Sequence, residues 1–306
     1  MSGIKLNRGS RLAGLLFLLW ILAGGLAPWA HAAEIIEEKF AVKTADGLTL
    51  PALLARPAKG GPFHAVMVNH GSDGLREEWP IWTRKLAEGG YVAMAMTFRG
   101  FEGSEGSETY GKKEVEDIIA ALTLLKGLPY VDKDKLGMFG FSKGGFNARL
   151  ASTRSHDLNA VAVWGAWADM VSSYRWAQTQ RNHPSPFVRE AARRQERIVG
   201  GTPEAVPEEW RIRSAINYVE NVTAAVLILH GGQDSFAPAD QVLPFAEALQ
   251  RLGKKVEVKV YPGEDHGLFL FTDPPPRARV ASRKTAQDVW NRIGAFFDRI
   301  LKCAQC

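Results

Sequence analysis

Lys135-Leu-Gly-Met-Phe-Gly-Phe-Ser142-Lys-Gly-Gly-Phe-Asn-Ala-Arg-Leu-Ala-Ser152 passes from a buried-strand pattern to a helical one across a single serine. Leu136 to Phe141 is a short apolar run that suits a buried strand. Gly144-Gly145, followed by Ala148, Leu150 and Ala151, suits a helix opening directly after Ser142. A serine on so sharp a turn needs glycine two residues before and two after it to avoid side-chain clashes, and Gly140 and Gly144 stand there. The pattern Gly-x-Ser-x-Gly also arises by coincidence as a strand-end turn with an inert serine, so a nucleophilic Ser142 requires partners elsewhere in the chain.

Outward from this unit, strand and helix patterns alternate. Residues 35–56 read as two strands around an Asp46-Gly47 hairpin turn. A buried strand follows at His64 to Asn69, then a glycine-containing loop at His70 to Gly74 and an amphipathic helix at Glu77 to Glu88, with Pro80 tolerated in its first turn. Tyr91 to Phe98 is a strand, Arg99 to Tyr110 a glycine- and serine-rich loop, and Lys112 to Lys126 a helix. After the serine unit, Ala160 to Gly165 reads as a strand. From Ala166 to Val222 the rhythm breaks, and this segment is expected to form a helical excursion over one end of the sheet. Ala225 to Leu229 resumes as a strand, Ala239 to Leu252 as a helix, Lys255 to Tyr261 as a strand and Thr285 to Leu301 as the last helix. Such alternation predicts a mostly parallel sheet with helices on both faces.

The chain has 306 residues, of which 46% are hydrophobic and 23% charged, a globular composition with enough length for one large core. Lys5, Arg8 and Arg11 precede an apolar run from Leu12 to Leu26, and Pro28 and Ala30-His31-Ala32 follow it. These are the three parts of a secretory signal peptide over residues 1–32, which leaves one domain over 33–306 and predicts a periplasmic or secreted location with no membrane attachment after cleavage. The run is shorter than the ~20 residues of a bilayer span, and Gly24-Gly25 interrupts it. Without residues 1–32 the formal net charge falls from +5 to +2, too little to suggest a nucleic-acid partner. Arg189 to Arg197, the densest basic stretch, alternates with Glu190 and Glu196 as a solvated helix face does. Both cysteines, Cys303 and Cys306, sit at the C-terminal end, where they can pair but close only a short loop; a frayed tail is the expectation, and neither is placed to act as a nucleophile.

In a parallel sheet, reactive groups collect on loops leaving the carboxyl ends of strands. A serine hydroxyl needs a general base, usually histidine, which in turn needs a carboxylate to fix its tautomer. When these follow in the chain order serine, acid, histidine, His266 alone among the histidines leaves room for both others before it. Asp234, on the loop after the strand Ala225 to Leu229, is the matching acid. Asp157 and Asp169 lie on the wrong loops, Asp240 suits a helix start, and Asp265 adjoins the histidine too closely to face it. An oxyanion needs donors as well. The backbone N–H of Lys143 is one expectation, and the N–H of Ser72, in His70-Gly71-Ser72-Asp73-Gly74, is the other.

From about residue 64 to the last helix, the chain resembles the catalytic domain of the prolyl oligopeptidase family of serine hydrolases, within the α/β-hydrolase fold. The resemblance is carried by the serine unit and by Thr97-Phe98-Arg99-Gly100-Phe101-Glu102-Gly103, Glu114-Val115-Glu116-Asp117, Val131 to Gly137, Ser214-Ala215-Ile216-Asn217-Tyr218, Leu229-His230-Gly231-Gly232-Gln233-Asp234 and Tyr261-Pro262-Gly263-Glu264-Asp265-His266-Gly267. It implies an acyl-enzyme mechanism with Ser142, Asp234 and His266, no metal or organic cofactor, and a small-molecule ester or peptide as substrate. Family peptidases usually carry a β-propeller before this domain, whereas here about thirty residues separate the signal peptide from the first central strand. The chain is therefore similar also to stand-alone carboxylesterases and dienelactone-hydrolase-like proteins. The complete set of three residues weighs against a catalytically silent fold used for binding. Asp73, Trp167 and Trp176, with Trp164, are the candidates for lining the substrate pocket, although tryptophans in such a segment also pack its own core. Lys143 and Asp73 are unusual at their places. They either pair across the pocket, select a charged substrate or point to solvent, and solvent is the expectation. Oligomeric state is open.

Overall fold

The computed structural model describes residues 34–74, 78–101, 103–267 and 280–303. The signal peptide and its cleavage site, Glu102 and Cys306 lie outside the described residues. Eight strands, β1 (Ile35–Lys43), β2 (Thr49–Pro57), β3 (Phe63–Asn69), β4 (Val92–Met96), β5 (Val131–Phe141), β6 (Leu158–Trp164), β7 (Ala225–Gly231) and β8 (Val256–Tyr261), form one sheet in the order β1-β2-β4-β3-β5-β6-β7-β8. The β1/β2 and β2/β4 pairs are antiparallel, and every pair from β4 to β8 is parallel. This is the arrangement that the alternation of strand and helix patterns predicts.

Apolar runs become central strands because both faces of the sheet are covered. Along β3, Ala65 and Met67 point into one core and Val66 and Val68 into the other, the period-two consequence of strand geometry. On the first side lie α2 (Lys113–Lys126), α3 (Lys143–Ser152) and α8 (Ala239–Arg251), which contribute Ile118, Leu122, Leu150 and Phe245. On the other side lie α1 (Glu78–Glu88) and α9 (Val280–Leu301), whose Trp82 and Trp290 meet edge to face at 5.4 Å. The excursion holds α4 (Met170–Thr179), α5 (Pro186–Arg189), α6 (Ala191–Val199) and α7 (Pro207–Arg211), followed by a 3₁₀ segment, Ala215–Asn221. Met170, Tyr174 and Trp210 from this region pack on Phe146 of α3 and on Tyr110, a third small core that fixes the excursion above the sheet. Among the described residues no helix is long and apolar enough to cross a membrane.

Two boundaries depart most from the pattern reading: α9 starts at Val280 rather than Thr285, and β5 also starts early. β5 begins at Val131 rather than Leu136, because the polar residues Asp132 to Lys135 continue the strand without being buried, and the register with β3 shifts before Leu136. Cys303 is disulfide-bonded, and the rest of the expected tail, residues 304–306, lies outside the described residues. For the site the decisive feature is register. Phe141 pairs with Trp164 and Trp164 with Leu229, so β5 and β6 end level, β7 runs two residues further to Gly231, and the chain after each of them emerges on one edge of the sheet.

Candidate active site

Ser142 follows β5 directly and caps α3 with φ 50° and ψ −118°, a left-handed conformation that a side chain adopts only under strain. Neighbouring backbone enforces it: the Ser142 N–H donates to Trp164 O at 2.9 Å, and Ser142 O accepts from the Phe146 N–H at 2.9 Å. The two flanking glycines are steric requirements. A Cβ on Gly140 would fall 2.4 Å from Gly144 O, and one on Gly144 would fall 2.1 Å from Asn69 O. The helix therefore starts hard against the sheet, and the serine hydroxyl is carried to its upper edge.

There it meets an imidazole. Ser142 Oγ lies 2.9 Å from His266 Nε2, and His266 Nδ1 lies 2.6 Å from Asp234 Oδ2. The carboxylate fixes the tautomer: Nδ1–H donates to Asp234, which leaves the Nε2 lone pair to accept the serine proton. Asp234 is buried, and its other oxygen, Oδ1, accepts the N–H groups of Phe236 and Ala237 at 2.8 Å each. The imidazole is flanked by Phe141, at 5.1 Å between ring centres, and by Phe236, which stacks on it at 5.2 Å. The acid and histidine loops are also joined to each other. The Gly232 N–H donates to Tyr261 O and the Gln233 N–H to Glu264 O, both at 2.8 Å, and Trp164 Nε1–H donates to His266 O at 3.1 Å. A hydroxyl, an imidazole and a carboxylate in this series can move a proton off Oγ as the oxygen attacks an electrophile.

The competing acids are occupied elsewhere. Asp265 accepts from the Gly267 N–H at 2.9 Å, Asp169 caps α4 through Val171 N–H at 3.0 Å, and Asp157 pairs with Lys126 at 2.5 Å. Asp240 lies in the first turn of α8. Two other histidines lie near the site but are buried. His70 Nδ1–H donates to Gly71 O at 2.7 Å, and its Nε2 accepts the Phe98 N–H at 2.9 Å, so burial pushes its pKa down to about 3 and keeps it neutral. His230 lies 3.9 Å from Asp234 Oδ2, and burial lowers its pKa too, against the pull of that carboxylate.

The remaining predicted residues divide. Lys143 opens α3, where the first amides have no partner inside the helix, and Ser72 sits in the turn after β3, part-exposed. Solvent is not where Lys143 points. Its side chain is fully buried and ion-paired with Glu108 and, at 3.8 Å, with Glu114. Nor does Asp73 simply face water, because its Oδ1 is buried and turned back over Gly71. Trp167 stacks on Phe146 at 5.4 Å, and Trp176 packs against the small core of the excursion. Trp164 is buried and braces the histidine loop. Pattern reading missed the Glu108 and Glu114 partners of Lys143 and the stacking of Phe236 on His266. A lysine beside the serine, in a chain with acids on the preceding loop and helix, is the one signal for the former; Phe236 left none, because loop conformation alone brings it to the imidazole.

Residues 81–303 match the model of the prolyl oligopeptidase family, a span that includes Ser142, Asp234 and His266. The chain belongs to the prolyl oligopeptidase family. It is accordingly a serine hydrolase on the α/β-hydrolase fold. Its relatives include an uncharacterized peptidase of Bacillus subtilis, YtmA, 31% identical over 81% of this chain and 91% of that protein. Another is a protein of Methylorubrum extorquens provisionally named carboxymethylenebutenolidase, 25% identical over 87% of this chain and 82% of that one. Among solved structures, the acylaminoacyl peptidase of Pyrococcus horikoshii superposes with a TM-score of 0.72 at 23% identity, covering 89% of this chain and 43% of that one.

Proposed function

We propose that the mature chain is a periplasmic or secreted hydrolase that cleaves a peptide or ester bond in a small substrate, with Ser142 as nucleophile, His266 as general base and Asp234 as the group that orients it. The observation that carries this reading is the unbroken hydrogen-bonded series from Ser142 Oγ through His266 to Asp234, on a strained turn at the sheet edge. As Oγ attacks the carbonyl carbon, its proton passes to Nε2, and the imidazolium is stabilised by Asp234. The carbonyl oxygen becomes an oxyanion, for which the N–H groups of Lys143 and Ser72 are the assigned donors. Nε2–H then protonates the departing amine or alcohol, leaving an acyl ester on Ser142. Water, deprotonated by the same nitrogen, attacks that ester, releases the acid and restores the hydroxyl.

Ser142→Ala removes the nucleophile from a position whose backbone is held by its neighbours. Turnover of p-nitrophenyl acetate is expected to disappear while the melting temperature stays within a degree or two. A variant that hydrolyses the ester at the wild-type rate sinks the assignment. The similarity to the Methylorubrum protein, over most of both chains, favours an esterase, whereas the similarity to YtmA favours a peptidase. Short acyl p-nitrophenyl esters set against aminoacyl and prolyl amides separate the two, and hydrolysis of esters alone removes the peptidase reading. Export is supported by the arrangement of Lys5, Arg8 and Arg11, the apolar run and Ala30-His31-Ala32. It predicts a purified protein that begins at Ala33 or Glu34 by mass, and an intact Met1 in exported material contradicts it.

A further inference from the structure

The side chain next to the nucleophile is a lysine with no access to water, which is an expensive arrangement. Taking an ammonium out of solvent is costly unless close partners compensate. Here the partners are built in. Lys143 Nζ donates to Glu108 and lies 3.8 Å from Glu114 Oε1. The rings of Phe101 and Tyr110 flank it at 4.9 and 5.2 Å from their centres, in range for cation–π attraction. Glu108, Tyr110 and Phe101 all belong to the loop 99–111, so one cation gathers that loop over the first turn of α3.

The loop has further anchors at its far end. Glu114 accepts the Thr109 N–H at 2.7 Å and the Gly111 N–H at 2.9 Å, and the Thr109 hydroxyl donates to it as well. Thr109 O accepts from Arg213 Nε at 3.0 Å, and Tyr110, at φ 51°, takes a hydrogen bond from Arg194 Nε at 3.1 Å. On its near side, Phe101 meets the ring of His70 at 5.0 Å, and a Cβ on Gly74 would lie 3.5 Å from it. The turn 70–74 therefore touches, at His70, a residue that Lys143 holds. The ammonium thus links the two stretches of backbone that carry the proposed oxyanion donors, the N–H groups of Lys143 and Ser72.

Resting on the reading of Ser142 as nucleophile, we infer that the Lys143 side chain is a positioning residue for acyl transfer: through Glu108 and Phe101 it fixes its own backbone N–H and the turn 70–74 in the geometry the oxyanion needs. The side chain does not touch substrate. Its contribution falls on the transition state and leaves ground-state binding unchanged. Removal of one oxyanion donor costs on the order of 10² to 10³ in rate, and misplacing one costs less.

The test compares wild-type protein with Lys143→Met, Glu108→Ala and the double variant, using p-nitrophenyl butyrate as substrate and phenylboronic acid as a tetrahedral mimic. Methionine fills the lysine's volume without its charge, and Glu114 keeps its donors from Thr109 and Gly111. Expected for Lys143→Met is a fall in kcat of roughly 10- to 100-fold with KM within about twofold, and a matching loss of boronate affinity. Glu108→Ala should lower kcat in the same direction by a smaller factor, and the double variant should be no slower than Lys143→Met. Unchanged kcat in Lys143→Met overturns the inference. So does a rise in KM at constant kcat, which makes the side chain a substrate contact. If Lys143→Met does not fold, Glu108→Ala decides, and wild-type kcat and boronate affinity in that variant overturn the inference as well. Wild-type protein that neither turns over the ester nor is labelled at Ser142 by a fluorophosphonate defeats the hydrolase reading itself, a different result from an active wild type beside an equally active Lys143→Met.

Discussion

Gly165 shows how finely one residue governs the site. It follows β6 with φ +57°, directly beneath the histidine and the acid, and an added Cβ would fall 3.0 Å from His266 Nδ1 and 3.1 Å from Asp234 Oδ2. A methyl group there wedges into the 2.6 Å hydrogen bond that fixes the tautomer, and the backbone conformation also disfavours any side chain. Gly165→Ala is expected to lower kcat for p-nitrophenyl acetate by on the order of 10²-fold, through a displacement of less than about 1 Å. Steady-state kinetics with a melting curve checks this, and a kcat within twofold of wild type contradicts it. Ser142, Asp234 and His266 were legible in the sequence because chain order and strand ends restrict the choice. Gly165 was not, because nothing local distinguishes a glycine under a side chain from one in an ordinary turn.

At the scale of elements, the hairpin β1–β2 is tied to α2 through Arg99. Arg99 Nε and Nη2 both reach Asp117 at 2.6 Å, while Nη1 and Nη2 reach Asp46 at 2.9 and 3.0 Å. Arg99 and Asp117 are buried, so removing only the guanidinium leaves a carboxylate in the interior without its cation. Arg99→Met should destabilise the fold by about 3–5 kcal/mol, and Arg99→Met with Asp117→Leu should recover most of that loss. Urea unfolding of wild type, the two single variants and the double variant measures it, and additive losses argue against a shared pair. Lysine is a poor substitute, because two carboxylates are each bound by a planar fork. The strands and helices themselves were readable from apolar periodicity. Pairings such as Arg99 with Asp46, and the polar start of β5, were not, because they depend on contacts between segments far apart in sequence.

For the molecule as a whole, buried histidines set a limit on acid tolerance. Burial brings His70 down to about 3 and lowers His230 from the usual 6.5. The unfolded chain takes up these protons near pH 6.5, whereas folded His70 stays neutral until about pH 3, so unfolding absorbs protons between the two values. Stability is therefore complete above pH 6.5 and falls as pH drops toward 3, at up to about 1.4 kcal/mol per pH unit for each fully shifted histidine. His70→Gln, which retains a donor for Gly71 O and an acceptor for the Phe98 N–H, should flatten the fall in melting temperature between pH 7.5 and 4.5. An unchanged slope contradicts the assignment. The overall architecture was the most legible level, since alternation and chain order constrain it together. Side-chain burial at Lys143 was the least, because exposure is decided by what the loop 99–111 lays over it.

The hydrogen bonds that join the loop of Asp234 to the loop of His266 bear on how such a catalyst can be recombined. The two loops lie on either side of α8 in sequence, yet their backbones form a single assembly. A chimera with its crossover inside α8 would combine an acid loop from one parent with a histidine loop from another, and the amides of Gly232 and Gln233 would face carbonyls shaped for a different neighbour. Exchange of the whole segment from β7 through residue 267 transfers both loops together and keeps their mutual fit. The heritable unit of this active site is that segment, in which the acid and the base travel as one piece.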